Sequence, residues 1–518
     1  MKTERGPILW TWTTAISFLA SRRWRIFLIA WIVYSVHFAT NVVREHYPAF
    51  SLIERGTFHV DDYLGFHSDI FMHPNGHAVI GNQVLVSTLA AVPLFVFSPV
   101  LNALEHHSKA KLAQHGVTDA DYRTDKPMRR DFFRLVKERG LDLRFGAATV
   151  VTTVFFMAPV TALFLVFFYD VLRERGLEPN TATELSLLLG FGTPLFFRAT
   201  VLGHNLFVMV SMFAAFVLLW VRPGMPAPVT LRRRLLAGFF GGLTLATDYI
   251  GLLILPLLYG CLVIPRLTTA SWKVSLRESM AMVVGSLPPI LFLLYSQWAM
   301  YGNPFLPGQY WMPDQNAYVN VGARGFTLPD ADLFWQNLLH PGFGMYSWCP
   351  LLMLALVPTV WYRPEYLVLP RPERRFVGLT VVLFLLFCSA NQYSRLQFNS
   401  GFRYLLPLVP LLFLAISDHW IRMRSWARVG LATTAVIHSW VVVVFREPVW
   451  QSWRLFLADG PQLPWYRILG MTSAPGDLWL GNWYVPATIL VATMTTAAGI
   501  WWYGARLEAV ARAPRAGN

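Results

Sequence analysis

Long uncharged apolar runs separated by short polar and basic stretches set the pattern of this chain. Residues 146–169 carry no charged side chain, and they exceed the ~20 residues that a helix needs to cross a hydrocarbon core. They predict a membrane span. Similar runs recur near 26–43, 182–197, 205–221, 235–247, 249–264, 279–299, 346–361, 377–391, 404–417, 429–445 and 485–503. The pattern therefore predicts an all-α polytopic membrane protein with about 12 transmembrane helices, between 11 and 13. Residues 8–20 imitate a signal-peptide core, yet Ser21-Arg22-Arg23-Trp24-Arg25 follows in place of a small-residue cleavage site. They read as a short interfacial helix feeding the first span.

Composition agrees with the pattern. Of 518 residues, 55% are hydrophobic and 14% charged, against about 25% charged in soluble domains. The formal charge of +14 fits basic loops facing the cytoplasm and anionic lipid. No nucleic-acid-binding module accompanies it. Cys261, Cys349 and Cys388 lie in or beside apolar runs, without the spacing of a metal site or a disulfide framework.

Residues 84–101 decide the topology. This stretch is nearly long enough to span, but Pro93 and Pro99 each remove a helical hydrogen bond. Keeping it on the outer side places most Lys and Arg of the short loops in the cytoplasm, whereas a crossing distributes them almost evenly. The expectation is a single membrane domain over 1–518 with cytoplasmic termini. Residues 44–145 then form a large first extracytoplasmic region containing juxtamembrane helices. Residues 198–204, 300–345, 392–403 and 446–484 are further outer segments, and Arg232-Arg233-Arg234 and Arg374-Arg375 face the cytoplasm. The basic run 109–144 then faces outward, which counts against this topology unless the run binds phosphates or lipid headgroups.

The first outer region concentrates candidate chemistry. Arg44-Glu45-His46-Tyr47-Pro48 is followed by Glu54, His59-Val60-Asp61-Asp62-Tyr63, His67, Asp69, His73 and His77. One carboxylate of Asp61-Asp62 suits a general base when a neighbouring charge or metal holds it. Asp61, Asp62, Asp69, His73 and His77 also offer oxygen and nitrogen ligands, although no spacing among them fits a motif such as HExxH. A divalent cation, if bound, is expected at Asp61 and Asp62. The competing reading is a loop whose charges keep it solvated.

The chain resembles the GT-C class of integral membrane glycosyltransferases, which includes protein O-mannosyltransferases and aminoarabinose transferases. Asp61-Asp62 occupies the place of that class's acidic pair, soon after the first span. Residues 84–101 occupy the place of its juxtamembrane helices. Tyr301-Gly302-Asn303-Pro304-Phe305, Gly344-Met345-Tyr346-Ser347-Trp348-Cys349-Pro350 and Gly401-Phe402-Arg403-Tyr404-Leu405-Leu406-Pro407 resemble segments of bacterial members, and Tyr346 is carried as a substrate contact. The second acidic residue common in the next outer loop is absent from residues 198–204, which counts against a metal-dependent mechanism. The resemblance implies transfer of a sugar from a polyprenyl-phosphate donor, with inversion, at the outer face of a bacterial inner membrane. The acceptor is a glycan, lipid or protein hydroxyl.

A lipid-phosphate donor needs cations at headgroup depth, where guanidinium allows bidentate contact. Arg198, Arg324, Arg395 and Arg403 are so placed, and Arg403 leads because it opens the span at Tyr404. Its competing role is a snorkelling anchor. His204 and His340 are secondary candidates beside structural roles. Asp248, between two apolar runs, calls for a partner, a water-filled cavity or a capping role. Trp311, Trp450, Trp453, Trp465, Trp479 and Trp483 suit sugar rings and equally suit an interfacial belt. The expected function is therefore an outer-face glycosyltransferase with Asp61 as base. The alternatives are a multi-span transporter or lipid flippase coupled through Asp248, and an acyltransferase or ligase using a catalytic histidine or arginine.

Overall fold

The computed structural model describes residues 18–116, 127–220, 229–267, 272–314, 318–362, 366–399, 401–472 and 482–512. Most of residues 8–20, and Trp479, lie outside that set. The described chain is predominantly helical, as the apolar runs predict. Four helices are long and apolar enough to cross a membrane: Asp142–Glu174, Ser279–Tyr301, Ser425–Phe445 and Tyr484–Val510. They coincide with four of the predicted spans. His204–Leu219, Gly251–Gly260 and Leu408–Trp420 are shorter apolar helices.

Prolines explain several departures from regular spans. Pro159 cannot donate to the preceding turn, and Thr153–Met157 adopts a π-helical turn just before it. Residues 346–361, predicted as a helical span, instead form a one-turn helix Met345–Trp348 and 3₁₀ turns Pro350–Leu356 and Pro358–Val360. Pro350 and Pro358 withhold the N–H groups a continuous helix would use. The stretch 84–101 breaks into Leu85–Val96 and Ser98–His115, bent by 78°. Ala91, Leu94 and Leu101 from these two arms, with Val84 just before the first, enter the core of the 44–145 region.

Close helix approach is built on small residues. Gly238 and Gly242 have GxxxG spacing, and a Cβ on Gly238 would meet the Met282 carbonyl oxygen of the facing helix Trp272–Tyr301. The absence of a side chain lets the two backbones touch.

Among the described residues, two large apolar cores result, with a small third cluster of Val441, Val444 and Phe445. The larger is the helix bundle, with Tyr34, Phe168, Phe213, Phe413 and Trp420 at its centre. The second joins Tyr47, Phe50, Tyr63, Phe66 and Phe145 of region 44–145 to Met300, Tyr301 and Met312. A hairpin of β1 (Ile70–Met72) and β2 (Ala78–Ile80) pairs Ile70 with Ile80 and Met72 with Ala78. Its two strands are the only β-strands among the described residues, beside isolated bridges at Phe326. Part of the basic run 109–144 is engaged within the protein. Arg144 pairs with Glu54 and Glu105, and Arg139 donates to the carbonyls of Asp62 and Leu64.

The connecting segments gather at two ends. At one end Ala39 N–H donates to the Thr200 carbonyl at 2.9 Å, Tyr301 Oη to Ile80 at 2.6 Å, Thr327 to Ala390 at 2.9 Å and Val449 to Pro341 at 2.9 Å. At the other, Arg22 and Arg25 hold Glu508, Arg175 pairs with Glu373, and buried Asp418 accepts from the amides of Leu367, Val368 and Leu369. The acid- and histidine-rich segment lies at the first end.

Candidate functional site

The chain leaves helix Arg22–Val36, is pinned at Ala39, and presents Arg44 and Glu45 just before helix His46–Arg55. Arg44 Nη1 donates to Asp69 Oδ2 at 2.6 Å, and its Nε lies 3.5 Å from Glu45 Oε1. Asp69 sits immediately before β1. Its amide donates to His67 Nδ1 at 3.0 Å and its carbonyl accepts from Gly81 at 3.1 Å, so hairpin pairing fixes its position. The Asp69 side chain is 19% exposed, which leaves it accessible beside its cation.

Glu45 continues inward. Its carboxylate lies 2.6 Å from Nδ1 of His204, and Nε2 of the same ring lies 3.0 Å from Asp248 Oδ2. His204 opens helix His204–Leu219, and Asp248 closes helix Leu231–Thr247. Three chain segments are joined by one buried imidazole. The expected partner of Asp248 is thus His204, and its other oxygen accepts from the Ile250 amide at 3.0 Å in a local turn.

Arg403 faces the same cluster from residues 391–404. Arg198 is buried and donates through Nε and Nη2 to the carbonyls of Gly401 and Phe402 at 2.6–3.0 Å. Gln397 Oε1 accepts from the amides of Arg403 and Tyr404 at 3.1 and 3.0 Å. The Arg403 guanidinium lies 4.7 Å from the Tyr404 ring and donates Nη2 to its hydroxyl at 3.2 Å, while Nε is buried without an acceptor. Among the described residues no carboxylate is within ion-pair distance of Arg403. Its charge nevertheless acts on Asp69 and His67.

Gly401 enables this turn, with φ of 70° and the Trp348 ring where a Cβ would stand. Gly401→Ala is expected to cost about 1–2 kcal/mol from left-handed strain, plus the cost of displacing Trp348. The expected result is a lower melting temperature and loss of whatever Arg403 binds. An unchanged melting curve would show that the turn relaxes freely.

The remaining candidates are dispersed. Asp61 accepts from the Ala78 amide at 2.5 Å and lies 3.1 Å from His77 Nδ1, whose ring stacks on His59 at 4.2 Å. Asp62 pairs with exposed Arg55 at 2.6 Å. Neither aspartate meets the four candidate arginines. Asp61 contacts the β2 end of the hairpin and Asp69 precedes β1, so the two carboxylates stand at opposite ends of the ladder. His73 is buried against Trp311 at 4.6 Å.

Arg395 is held by Asp330 and Asp332 at 2.7 and 3.0 Å, so its charge is matched within the protein. Arg324 is exposed, with φ of 53°, 3.6 Å from Asp314. His340 Nδ1 accepts from Gly342 at 3.0 Å, a turn role, and Tyr346 packs against the bundle core. Arg198 acts as a buried scaffold for the Arg403 turn. Among the described residues no three His, Cys, Asp or Glu side chains form a metal site. His204 uses opposite ring edges for its two carboxylates, which makes a hydrogen-bond chain in place of a ligand set.

Electrostatics follow the pairings. Burial raises the Asp69 carboxyl, but the adjacent Arg44 charge and hydrogen bond outweigh it and hold it below the usual range. Glu45 follows the same logic, with burial overcome by His204 and Arg44. Asp61 is also lowered: burial, the largest single influence, raises it, but the Ala78 amide and His77 together outweigh that. A depressed folded value contributes stability above the unfolded value, about pH 4, and loses it as pH falls through the folded value. Thermal stability in detergent is therefore expected to hold from neutral pH to about pH 5 and to decline below about pH 4. Arg44→Met should flatten that acid limb. An acid limb unchanged in Arg44→Met would place the linkage elsewhere.

Arg44 and Glu45 are the members of this cluster that a search centred on Asp61-Asp62 passes over. Their signal was adjacency to the first apolar run, together with the need of Asp248 for a buried partner. No family model, curated protein or solved structure matches the chain.

Proposed function

We propose that this protein is a membrane glycosyltransferase that moves a sugar from a polyprenyl-phosphate donor to an acceptor hydroxyl at the outer face of the membrane. In this reading the chain crosses the bilayer about twelve times, counting short and broken segments. The end carrying Asp69 and Arg403 faces outward, in the inner membrane of a bacterium.

The observation that carries the reading is Arg403. It is a guanidinium without a carboxylate partner among the described residues, held by a built turn beside the ion-paired carboxylate of Asp69. A phosphate completes the unmet donors of Arg403, and a hydroxyl approaching Asp69 finds an ionised acceptor. The acceptor oxygen bonds to the anomeric carbon as the bond from that carbon to the phosphate oxygen breaks. The electron pair leaves on the lipid phosphate, stabilised by Arg403, and the hydroxyl proton passes to Asp69. The charges that keep Asp69 ionised also lower its basicity, so proton transfer comes late, as the leaving group departs. Asp69 thereby takes the base role that the sequence assigned to Asp61. A divalent cation has no assigned step in this mechanism.

The buried Glu45–His204–Asp248 chain favours one other reading, a proton-coupled transporter or lipid flippase. The test separates them. Purified protein is given a panel of polyprenyl-phosphate sugars, with and without chelator, and release of free polyprenyl phosphate is measured. Release supports the transferase; solute or lipid flux across proteoliposomes with no donor consumed overturns it.

A further inference from the structure

A second cluster of cations lies beside the Arg403 turn, at the junction of helices Ser425–Phe445 and Val449–Asp459. Arg446 occupies that junction with φ of 54°, one of three non-glycine residues in the left-handed region among the described residues. Such strain in a non-glycine residue is kept only where its surroundings enforce it. The Arg446 guanidinium stacks on Phe197 at 4.0 Å, and Nη1 donates to Thr200 Oγ1 at 3.3 Å. The same Phe197 ring carries Arg198 at 5.2 Å. Two guanidinium groups thus share one ring.

Further cations approach. Arg129 reaches from helix Pro127–Glu138 to Glu447 at 3.5 Å, and Arg467 donates to the Phe445 carbonyl at 3.3 Å, with Asp459 4.0 Å away. No carboxylate among the described residues lies within ion-pair distance of Arg446. Glu447 is engaged by Arg129 and Asp459 lies toward Arg467. Burial and the Arg129 charge both work against the Arg446 cation. Gathering four arginines in a half-buried niche with only Glu447 and Asp459 beside them among the described residues leaves cationic charge uncompensated, which is costly unless an anion enters.

We propose that Arg446, flanked by Arg129 and backed by Arg198, forms a second phosphate-binding subsite. It takes a phosphate group other than the one at Arg403. The word "second" rests on the donor reading of Arg403; the anion at Arg446 rests on its own neighbours. A planar guanidinium fixed on an aromatic face presents its free edge to phosphate oxygens. The phosphate belongs either to a lipid headgroup or to a soluble ligand.

The test uses the full chain. Inorganic phosphate is titrated onto detergent-solubilised protein, and in a second arm the protein is placed in nanodiscs with and without phosphatidic acid. Wild type is compared with Arg446→Gln, Arg446→Lys and Arg403→Gln. Removing a charge-assisted bond is expected to weaken phosphate binding roughly tenfold in Arg446→Gln, with the lysine variant intermediate. Arg403→Gln should leave the Arg446 class of sites intact. Phosphate response in detergent identifies a soluble source, and response confined to phosphatidic acid nanodiscs identifies a headgroup. Unchanged binding in Arg446→Gln in both arms overturns the subsite. Phosphate binding at Arg446 without consumption of any sugar donor leaves the subsite standing and removes the transferase reading.

Discussion

Asp69→Asn is expected to reduce release of polyprenyl phosphate from a sugar donor by roughly 10²–10⁴-fold, the usual contribution of a positioned acid or base. Asp61→Asn and Asp62→Asn are expected to retain most activity. The difference follows from neighbours, since all three aspartates lie within nine residues of one another in sequence. Asp69 is tied to Arg44 at 2.6 Å and feels the charge of Arg403. Asp61 is consumed by a strand amide and His77, and Asp62 by a surface arginine. Asparagine keeps the size of the side chain and one acceptor, so donor binding should survive in Asp69→Asn while turnover is lost. Loss of turnover in Asp61→Asn, with Asp69→Asn active, would return the base to the hairpin's far end.

The difference between these aspartates was not legible in the sequence because hairpin register decides it. His73-Pro74-Asn75-Gly76-His77 carries an Asn-Gly turn signal, and Gly76 has φ of 88° in the structure. Reading that signal pairs Ile70 with Ile80 and separates Asp69 from Asp61. Apolar runs were read more securely, because a long uncharged segment has few alternatives in lipid. The bend at 84–101 was also legible, from Pro99 at the start of the second arm, whereas Pro93 lies inside the first. Residues 346–361 were misread as a helical span because hydropathy averages over Pro350 and Pro358, which govern backbone donors. Position alone put Arg403 ahead of the other candidate arginines, but it does not tell which guanidinium groups are matched. Whether a guanidinium is matched depends on residues far along the chain, such as Asp330 and Asp332 for Arg395.

His204→Ala is expected to destabilise the protein by about 3–5 kcal/mol, the cost of removing one partner from a buried ionic group. Glu45 and His204 are both almost fully buried, at 2.6 Å, and Asp248 is 17% exposed on the other side of the ring. Each ring nitrogen faces a carboxylate, so the pairing needs two protons on the imidazole or one on an acid. Alanine leaves two acids in one low-dielectric space, where like charges repel and desolvation is uncompensated. Neutralising both acids together, in Glu45→Gln/His204→Ala/Asp248→Asn, should recover much of the loss. That recovery distinguishes charge imbalance from a packing defect, because the cavity left by the imidazole remains in the triple variant. Melting of the single and triple variants in the same detergent makes the comparison. Equal destabilisation in both would assign His204 to packing. Because Glu45 adjoins Arg44, the single variant should also loosen the Arg44–Asp69 pair and lower turnover, while the triple variant regains stability ahead of activity.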